Sequence, residues 1–243
     1  MSKQQTKALR KKRGLFWNWV RALVLGMVIM SIANDADAST FDEAMAAYRE
    51  GNFKQAIASF ERLASSGDPI SQFNLANIYY KGEGGEKNTV KSFYWMKKAA
   101  QNGTEQAIFF LSAYYRFGIG TDQNFELAAK WTAKAVENGD AEAEFDLAEH
   151  YRRGLGVKAD LIKAFALLKS SAEKGFVKSQ LNLAELYRHG DGTEVDYVRS
   201  YAWALKAAGG GLEQANTTLN ALRNHLNSEQ IGAATELSNK LLH

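Results

Sequence analysis

The chain has 243 residues, 46% of them hydrophobic, which excludes an unfolded polar polymer. A single proline, Pro69, leaves nearly every other stretch free to be helical, and the lack of cysteine excludes disulfides, thiolate catalysis and cysteine-based zinc sites. The formal charge of +3 sits at the front: residues 1–38 hold seven basic and two acidic side chains, leaving residues 39–243 with 23 basic and 25 acidic, and so near-neutral a body lacks the electrostatic footprint of a nucleic-acid binder.

The first segment in chain order is basic through Arg13, then apolar, most cleanly over residues 22–33, and ends on Ala36-Asp37-Ala38 before Ser39. Basic, apolar and small residues in that order form a secretory signal and predict cleavage after Ala38. The rival is an uncleaved inner-membrane anchor starting near Leu15 and facing the periplasm, but Asn18 and Arg21 interrupt it, and a spanning helix wants about 20 mostly apolar residues. Without a cysteine at the cleavage point lipoprotein processing is excluded, and a cysteine-free exported chain fits a bacterial periplasm better than a disulfide-using secretory route.

From residue 39 onward the chain repeats itself. Gly67, Gly103, Gly139, Gly175 and Gly211 fall 36 residues apart, as do Gly82, Gly118, Gly154 and Gly190, and their companions Gly84, Gly120, Gly156 and Gly192. Leu75, Leu111, Leu147, Leu183 and Leu219 keep the same step, as do Tyr79, Tyr115, Tyr151 and Tyr187. A fixed period in the range of about 20 to 50 residues means a solenoid.

Residues 39–67 predict a shortened first unit, because Tyr48 precedes Tyr79 by only 31 residues and the inter-helix loop is five residues shorter. Four full units follow, at 68–103, 104–139, 140–175 and 176–211. In each, an apolar face at helical spacing (Ser71, Leu75, Ile78) predicts a first helix, and a Gly-x-Gly pair ends it. Asn88, Asn124, Asp160 and Asp196 predict the N-caps of the second helices. The core side of these helices is expected at Trp95, Trp131, Leu167 and Trp203, with close helix approach at Ala99, Ala135, Ser171 and Ala207. Residues 212–243 predict capping helices: 212–222 repeat the first helix, and Ser228 opens a polar final one that closes the apolar end of the array.

The run carrying Ala143, Leu147, Ala148, Tyr151, Gly154 and Gly156, continued by Asp160, Ala164, Ser171, Ala172 and Gly175, resembles the Sel1-like repeat, a relative of the tetratricopeptide repeat with a longer inter-helix loop. The resemblance covers residues 68–211 in four copies, while the 39–67 unit is closer to a tetratricopeptide repeat. Leu167 stands where tryptophan is usual, and Asn88 and Asn124 where aspartate is. The resemblance implies an all-α, right-handed superhelical solenoid of about five helix-turn-helix repeats with a C-terminal capping helix, acting as an adaptor in bacterial assembly or signalling, usually in the envelope.

A search for chemistry finds little. His150, His189, His225 and His243 are not paired at three or four residues with another histidine, and His150 occupies the slot of Ile78, Tyr114 and Leu186, a packing position. The glycine pairs follow helices and lack the Gly-Lys-Ser/Thr of a phosphate loop. Glu142, Glu144 and Glu149 read as a solvated face. No catalytic residue, cofactor or metal is therefore expected.

What varies from copy to copy is a stripe on the first helix: Ile70, Asn74, Asn77, Lys81; Gln106, Phe110, Ala113, Phe117; Glu142, Asp146, Glu149, Arg153; Lys178, Asn182, Glu185, His189. Beside it run Arg49, Tyr80, Arg116, Arg152 and Arg188. Glu149 and Glu185 lie three residues before Arg152 and Arg188 and can neutralise them, whereas Arg116 has Ala113 there. Tyr80, Phe110, Arg116, Phe117, Glu149, Arg152 and Arg188 are the expected partner-binding residues, and the expected partner is another envelope protein or a peptide segment of one. Nucleic acid is not expected, nor is a membrane except through an uncleaved signal segment. The alternative is a wall-directed protein that binds or cleaves peptidoglycan, since tryptophan is also common in carbohydrate sites.

Mass measurement of the exported protein is expected to place its N-terminus at Ser39. An intact N-terminus held in the membrane fraction would support the anchor instead.

Overall fold

The computed structural model describes residues 35–241, which form twelve helices and no strand. Two compact units are distinguished, Met1–Glu43 and Ala44–His243, and the repeats lie in the second. The basic and apolar stretches of the targeting segment fall outside the described residues, and the expected cleavage point lies in the first turn of α1 (Asp35–Arg49). Among the described residues no helix is long and apolar enough to cross a membrane.

The helices alternate as expected. α1 and α2 (Phe53–Ser65) make the short first unit. Each full repeat then has a first or A helix and a second or B helix: α3 (Pro69–Lys81) and α4 (Thr89–Gln101), α5 (Glu105–Phe117) and α6 (Phe125–Glu137), α7 (Ala141–Arg153) and α8 (Leu161–Glu173), α9 (Val177–His189) and α10 (Tyr197–Gly209). α11 (Ala215–Leu222) and α12 (Ser228–Lys240) end the array. It is an all-α repeat solenoid.

Local chemistry sets these boundaries. Asn88, Asn124, Asp160 and Asp196 accept hydrogen bonds through their side chains from the backbone N–H of Lys91, Leu127, Lys163 and Arg199, at 2.8–3.0 Å. The same four residues close the loop behind them, because their own N–H groups donate to the carbonyls of Tyr79, Tyr115, Tyr151 and Tyr187 at 2.8–2.9 Å. Every A–B loop is thus clasped by two backbone groups nine residues apart, whatever side chains lie between.

The second glycine of each pair works between repeats. A Cβ on Gly120 would lie 1.9 Å from the carbonyl oxygen of Thr89, one on Gly156 2.1 Å from that of Phe125, and one on Gly192 2.1 Å from that of Leu161. Each of those carbonyls belongs to the first residue of the preceding B helix. The loop of one repeat therefore rests backbone on backbone against the repeat before it, a distance no side chain permits.

The leucine ladder is the inner row: Leu75, Leu111 and Leu183 are fully enclosed, and Leu147 and Leu219 nearly so. The B-helix ladder differs from expectation. Trp95, Trp131 and Leu167 are half-buried at the margin, and the next residue in each helix, Met96, Thr132 or Leu168, is the enclosed one. The buried stripe of α4 is Ser92, Met96, Ala99 and Ala100, so Trp95 lies one residue, about 100° of helical rotation, to the side. In the last repeat Trp203 is enclosed at 4% exposure, under the capping helices. Buried serines tie the two helices of a repeat together: Ser92 donates to the Ala76 carbonyl and Ser200 to that of Ala184, both at 2.7 Å.

The C-terminal A-type helix begins at Ala215, three residues later than the pattern predicts. The slot held by Asp68 or Asp140 in other repeats is Leu212, which has no side-chain acceptor for the free amides, and the chain enters through i→i+3 turns at Ala215, Asn216 and Thr217. α12 opens with a capping box in which Asn227 and Gln230 each accept from the other's backbone N–H, at 2.9 and 3.0 Å. Its Ala234, Ile231 and Leu237 cover the last apolar face with Leu219, Leu222 and Leu226.

His150 is packing, 1% exposed, with Nδ1 donating to the Leu155 carbonyl at 2.6 Å. Burial is the main cause holding its pKa below the ordinary 6.5, against that hydrogen bond, which favours the charged form.

Gly139→Ala is expected to cost about 1 kcal/mol, because Gly139 has φ +81° but open space around its Cα. Gly156→Ala should cost about twice that or more, since the Phe125 carbonyl must also move; equal melting temperatures for the two variants would refute the stacking role of the second glycine. His150 is depressed in the folded state, so the unfolded chain binds its proton first and His150 contributes a loss of stability as pH falls through about 6.5. Replacing it by leucine, the residue at the matching slot 186, should remove that component, seen as a smaller drop in melting temperature than the parent shows between about pH 7.5 and about pH 5.

Candidate functional site

Side chains of neighbouring A helices meet at α3–α5, α5–α7 and α9–α11, and the variable stripe runs along these helices. Phe73 of α3 stacks on Phe110 of α5 with ring centroids 6.0 Å apart. Arg116 of α5 meets Asp146 of α7, Nη1 to Oδ1 at 3.5 Å. Glu185 of α9 accepts from the Thr218 hydroxyl of α11 at 2.6 Å. Each pair joins positions some thirty residues apart in sequence that become neighbours because one repeat lies beside the next.

Arg116, Phe117 and Asp146 come together, with the Arg116 guanidinium 5.4 Å from the Phe117 ring centre and Phe117 itself 37% exposed. Phe110 is half-buried under its neighbour Phe73 and packs on the core of the first two repeats. Tyr80 is half-buried as well, its ring 6.1 Å from that of Tyr114 and covered by the Lys87 ammonium at 4.2 Å. Glu149 takes Arg152 in a two-pronged bond, both contacts 2.8 Å, and Glu185 takes Arg188 at 2.9 and 2.6 Å. The arginine row is therefore neutralised at every one of these three steps. Arg116, which lacks a glutamate three residues before it, finds its carboxylate on the next repeat, a contact that spacing within one helix cannot reveal.

The carboxylates of α7 are not a solvated face. Glu144 is 6% exposed and accepts from Ser170 at 2.7 Å and from Lys174 at 2.9 Å. It occupies the slot of Gln72, whose side chain accepts from Asn102 at 2.9 Å, and Lys174 occupies the slot of Asn102. A neutral amide pair in the first repeat has become an ion pair in the third. Reading positions 72, 108, 144 and 180 as a column (Gln, Ile, Glu, Gln) would have marked an inward slot. Glu142 is half-buried and has no ion pair among the described residues; burial, with the nearby Asp146 adding to it, pushes its pKa up to about 8, against the pull of Lys178. Asp146 is also raised, mainly by burial, while Arg116 and Lys178 act to lower it.

The remaining histidines have packing or electrostatic neighbours. His225 stacks on Tyr197 at 4.6 Å, and His189 Nε2 lies 3.4 Å from a Glu185 oxygen; His243 lies outside the described residues. No group of three or more metal-ligating side chains occurs among the described residues. Trp95 and Trp131 pack on the core of the first two repeats.

Comparison with known proteins agrees with this geometry. The model of the Sel1 repeat matches four times, at residues 69–104, 105–140, 141–176 and 177–212. The chain is similar to a Sel1 repeat protein from Oxalobacter formigenes, at 24% identity and a TM-score of 0.68 over 83% of this chain and 82% of that one. It is also similar to c5321, described as a protective antigen of uropathogenic Escherichia coli with an SLR fold, at 27% identity and a TM-score of 0.50 over 77% of this chain; it spans about half, 48%, of that antigen's length. No curated protein matches it.

Glu142→Gln is expected to stabilise the protein. In the folded chain this carboxyl keeps its proton up to about pH 8, whereas the unfolded chain releases it near 4.5, so the acid contributes a loss of stability that grows across that window and then levels off. Melting temperatures of variant and parent should coincide near pH 4 and separate toward about pH 8. A gap that is constant with pH would mean that Glu142 is not desolvated.

Proposed function

Because this chain belongs to the Sel1 repeat family, whose repeats generally mediate protein–protein interaction, we propose that it is a non-catalytic scaffold of the bacterial cell envelope that binds a partner protein along its A-helix face. The observation that carries this reading is the division of labour within the repeat. The inner row of the frame keeps leucine in every copy, at Leu75, Leu111, Leu147 and Leu183. The adjoining positions on the joined A helices change from aromatic (Phe110, Phe117) to acidic (Glu142, Asp146) to mixed (Lys178, Asn182, His189). A surface that differs step by step on a fixed frame suits recognition of one extended partner. The envelope location rests on the basic, apolar and small-residue order of residues 1–38.

The wall-directed alternative draws less support. Trp203 is enclosed, and Trp95 and Trp131 lie against the core, where an aromatic ring contributes packing rather than a platform for sugar.

Crosslinking in intact cells that make this protein, followed by its purification, is expected to capture a specific envelope protein. Phe117→Ala and Arg116→Ala should each weaken that capture by about 2 kcal/mol, some thirtyfold, as truncation of interface aromatics and arginines does. Phe117→Ala should leave the melting temperature nearly unchanged, whereas Phe110→Ala should lower it because Phe110 fills space beneath Phe73. Absence of any specific crosslinked protein, or sedimentation of the purified chain with isolated sacculi, would overturn the scaffold reading.

A further inference from the structure

The outward face of α4 differs from that of the other B helices. Its buried stripe is Ser92, Met96, Ala99 and Ala100. At about 100° a residue, the opposite arc is about 120° wide and runs from Lys97 through Val90, Gln101 and Tyr94 to Lys98 and Lys91. All six side chains are exposed, Val90 at 67% and Tyr94 at 52%. Two large apolar groups thus stand in the middle of a solvent-facing arc, with lysine on both margins and no acid anywhere in the helix. At the slots of Val90 and Tyr94 the later repeats carry Glu126 and Lys130, Ile162 and Ala166, and Val198 and Ala202. The frame accepts glutamate and lysine there, so packing does not explain an exposed valine and tyrosine.

Its lysines are not tied up in ion pairs. The lysine ion pairs among the described residues are those of Lys81, Lys163, Lys169 and Lys174. Lys97 and Lys98 stand instead over rings of their own helix, Phe93 at 6.0 Å and Tyr94 at 5.9 Å from the ring centres. Lys91 stands over Tyr79 of α3 at 4.8 Å, with its Nζ donating to the hydroxyl at 3.4 Å. Tyr94 in turn meets Trp95 edge to face, the ring centroids 4.9 Å apart. The arc therefore presents three positive charges that no carboxylate neutralises, set around two bare apolar side chains.

Shape and sign together narrow what can cover this face. A single helix with long side chains on its outward arc is a ridge, which favours a yielding surface over a rigid one that would need a matching furrow. A second copy laid symmetrically on the same face would set lysine against lysine. An anionic lipid surface accepts a ridge, takes valine and tyrosine at its headgroup boundary, and lets lysine stems lie along apolar matter while their ammonium groups reach phosphate. We propose that the outward face of α4 rests on an anionic phospholipid surface, with Val90 and Tyr94 entering the boundary between headgroups and acyl chains and Lys91, Lys97 and Lys98 meeting the phosphates. The contact is peripheral, and it uses a different set of side chains from the A-helix stripe, so the protein can hold a partner on one face while the other lies on lipid.

Because the chain has no cysteine, Val90→Cys gives a single site for an environment-sensitive fluorophore. Ile162→Cys, at the matching slot of the third repeat and 73% exposed, but with Ala166 in place of Tyr94, gives the control. With phosphatidylglycerol vesicles the label at position 90 should shift to the blue, and the label at position 162 should not. Adding Lys97→Gln and Lys98→Gln should raise the vesicle concentration needed for half of that shift about twentyfold or more, at roughly fivefold for each lysine, with the melting temperature unchanged. Raising the salt from about 0.1 M to about 0.5 M should raise it as well. No shift at position 90, an equal shift at position 162, or an equal response to phosphatidylcholine vesicles would overturn the proposal. So would a shift that grows with protein concentration in the absence of vesicles, which would assign the face to a second copy, or one that soluble polyglutamate produces equally, which would assign it to an acidic protein segment. The cell-crosslinking capture is independent of vesicles, so scaffold and lipid contact can fail separately.

Discussion

The contact on which the array depends is the approach of a loop glycine to a helix-starting carbonyl. At Gly120, Gly156 and Gly192 the backbone of one repeat comes so near the first peptide group of the preceding B helix that even a methyl group has no room. A contact made by backbone has two consequences that one made by side chains would lack. It fixes the offset between repeats, because neither partner has a rotamer to change. It is also indifferent to the residues that flank it, so Thr89, Phe125 and Leu161 serve equally well as the carbonyl bearer. The hydrophobic ladder supplies most of the favourable burial, but the glycine contact determines the register in which the ladder is assembled.

With register set by backbone, the A-helix face is free to vary. At the slot shared by Phe110, Asp146 and Asn182 the junctions along it use three different chemistries: Phe110 stacks on Phe73, Asp146 pairs with Arg116, and Asn182 is an uncharged carboxamide at the junction where Arg152 is held by Glu149 instead. The register does not come from them, which is why they can differ. The half-buried acid Glu142 belongs to the same pattern, since a carboxyl without its own counter-ion is tolerated where the frame does not rely on it.

Much of this architecture was legible in the sequence, and the reason is chemical. Glycine at positive φ, Asn or Asp at a helix start and leucine at an enclosed position are choices for which few other residues substitute, so their spacing of 36 residues states the repeat outright. The N-caps at Asn88 through Asp196 and the polar cap opened at Ser228 followed from the same logic. The parts that were not legible are those that arise between repeats. Glu149 and Arg152 could be paired by their spacing on one helix, whereas Arg116 and Asp146 are thirty residues apart and meet only because two A helices lie side by side. The rotation that encloses Met96 rather than Trp95 is a matter of about 100°, smaller than an argument from residue size resolves. The burial of Glu144 was hidden because glutamate ordinarily marks solvent; its column mates Gln72 and Gln180 were the available clue.

The loop contact also has a direction. The blocks 104–139 and 140–175 each carry a glycine that faces backward and a carbonyl that faces forward, so such a block copied in frame arrives with both halves of its joints already made. A gene encoding such a chain can lengthen or shorten by recombination between its own copies, without inventing an interface, and a new copy can then drift on its A-helix face alone. The same polarity would let chains add head to tail without limit if the far end were left bare. α12, laid over Leu219 and Leu222, is what makes this polymer of one gene finite.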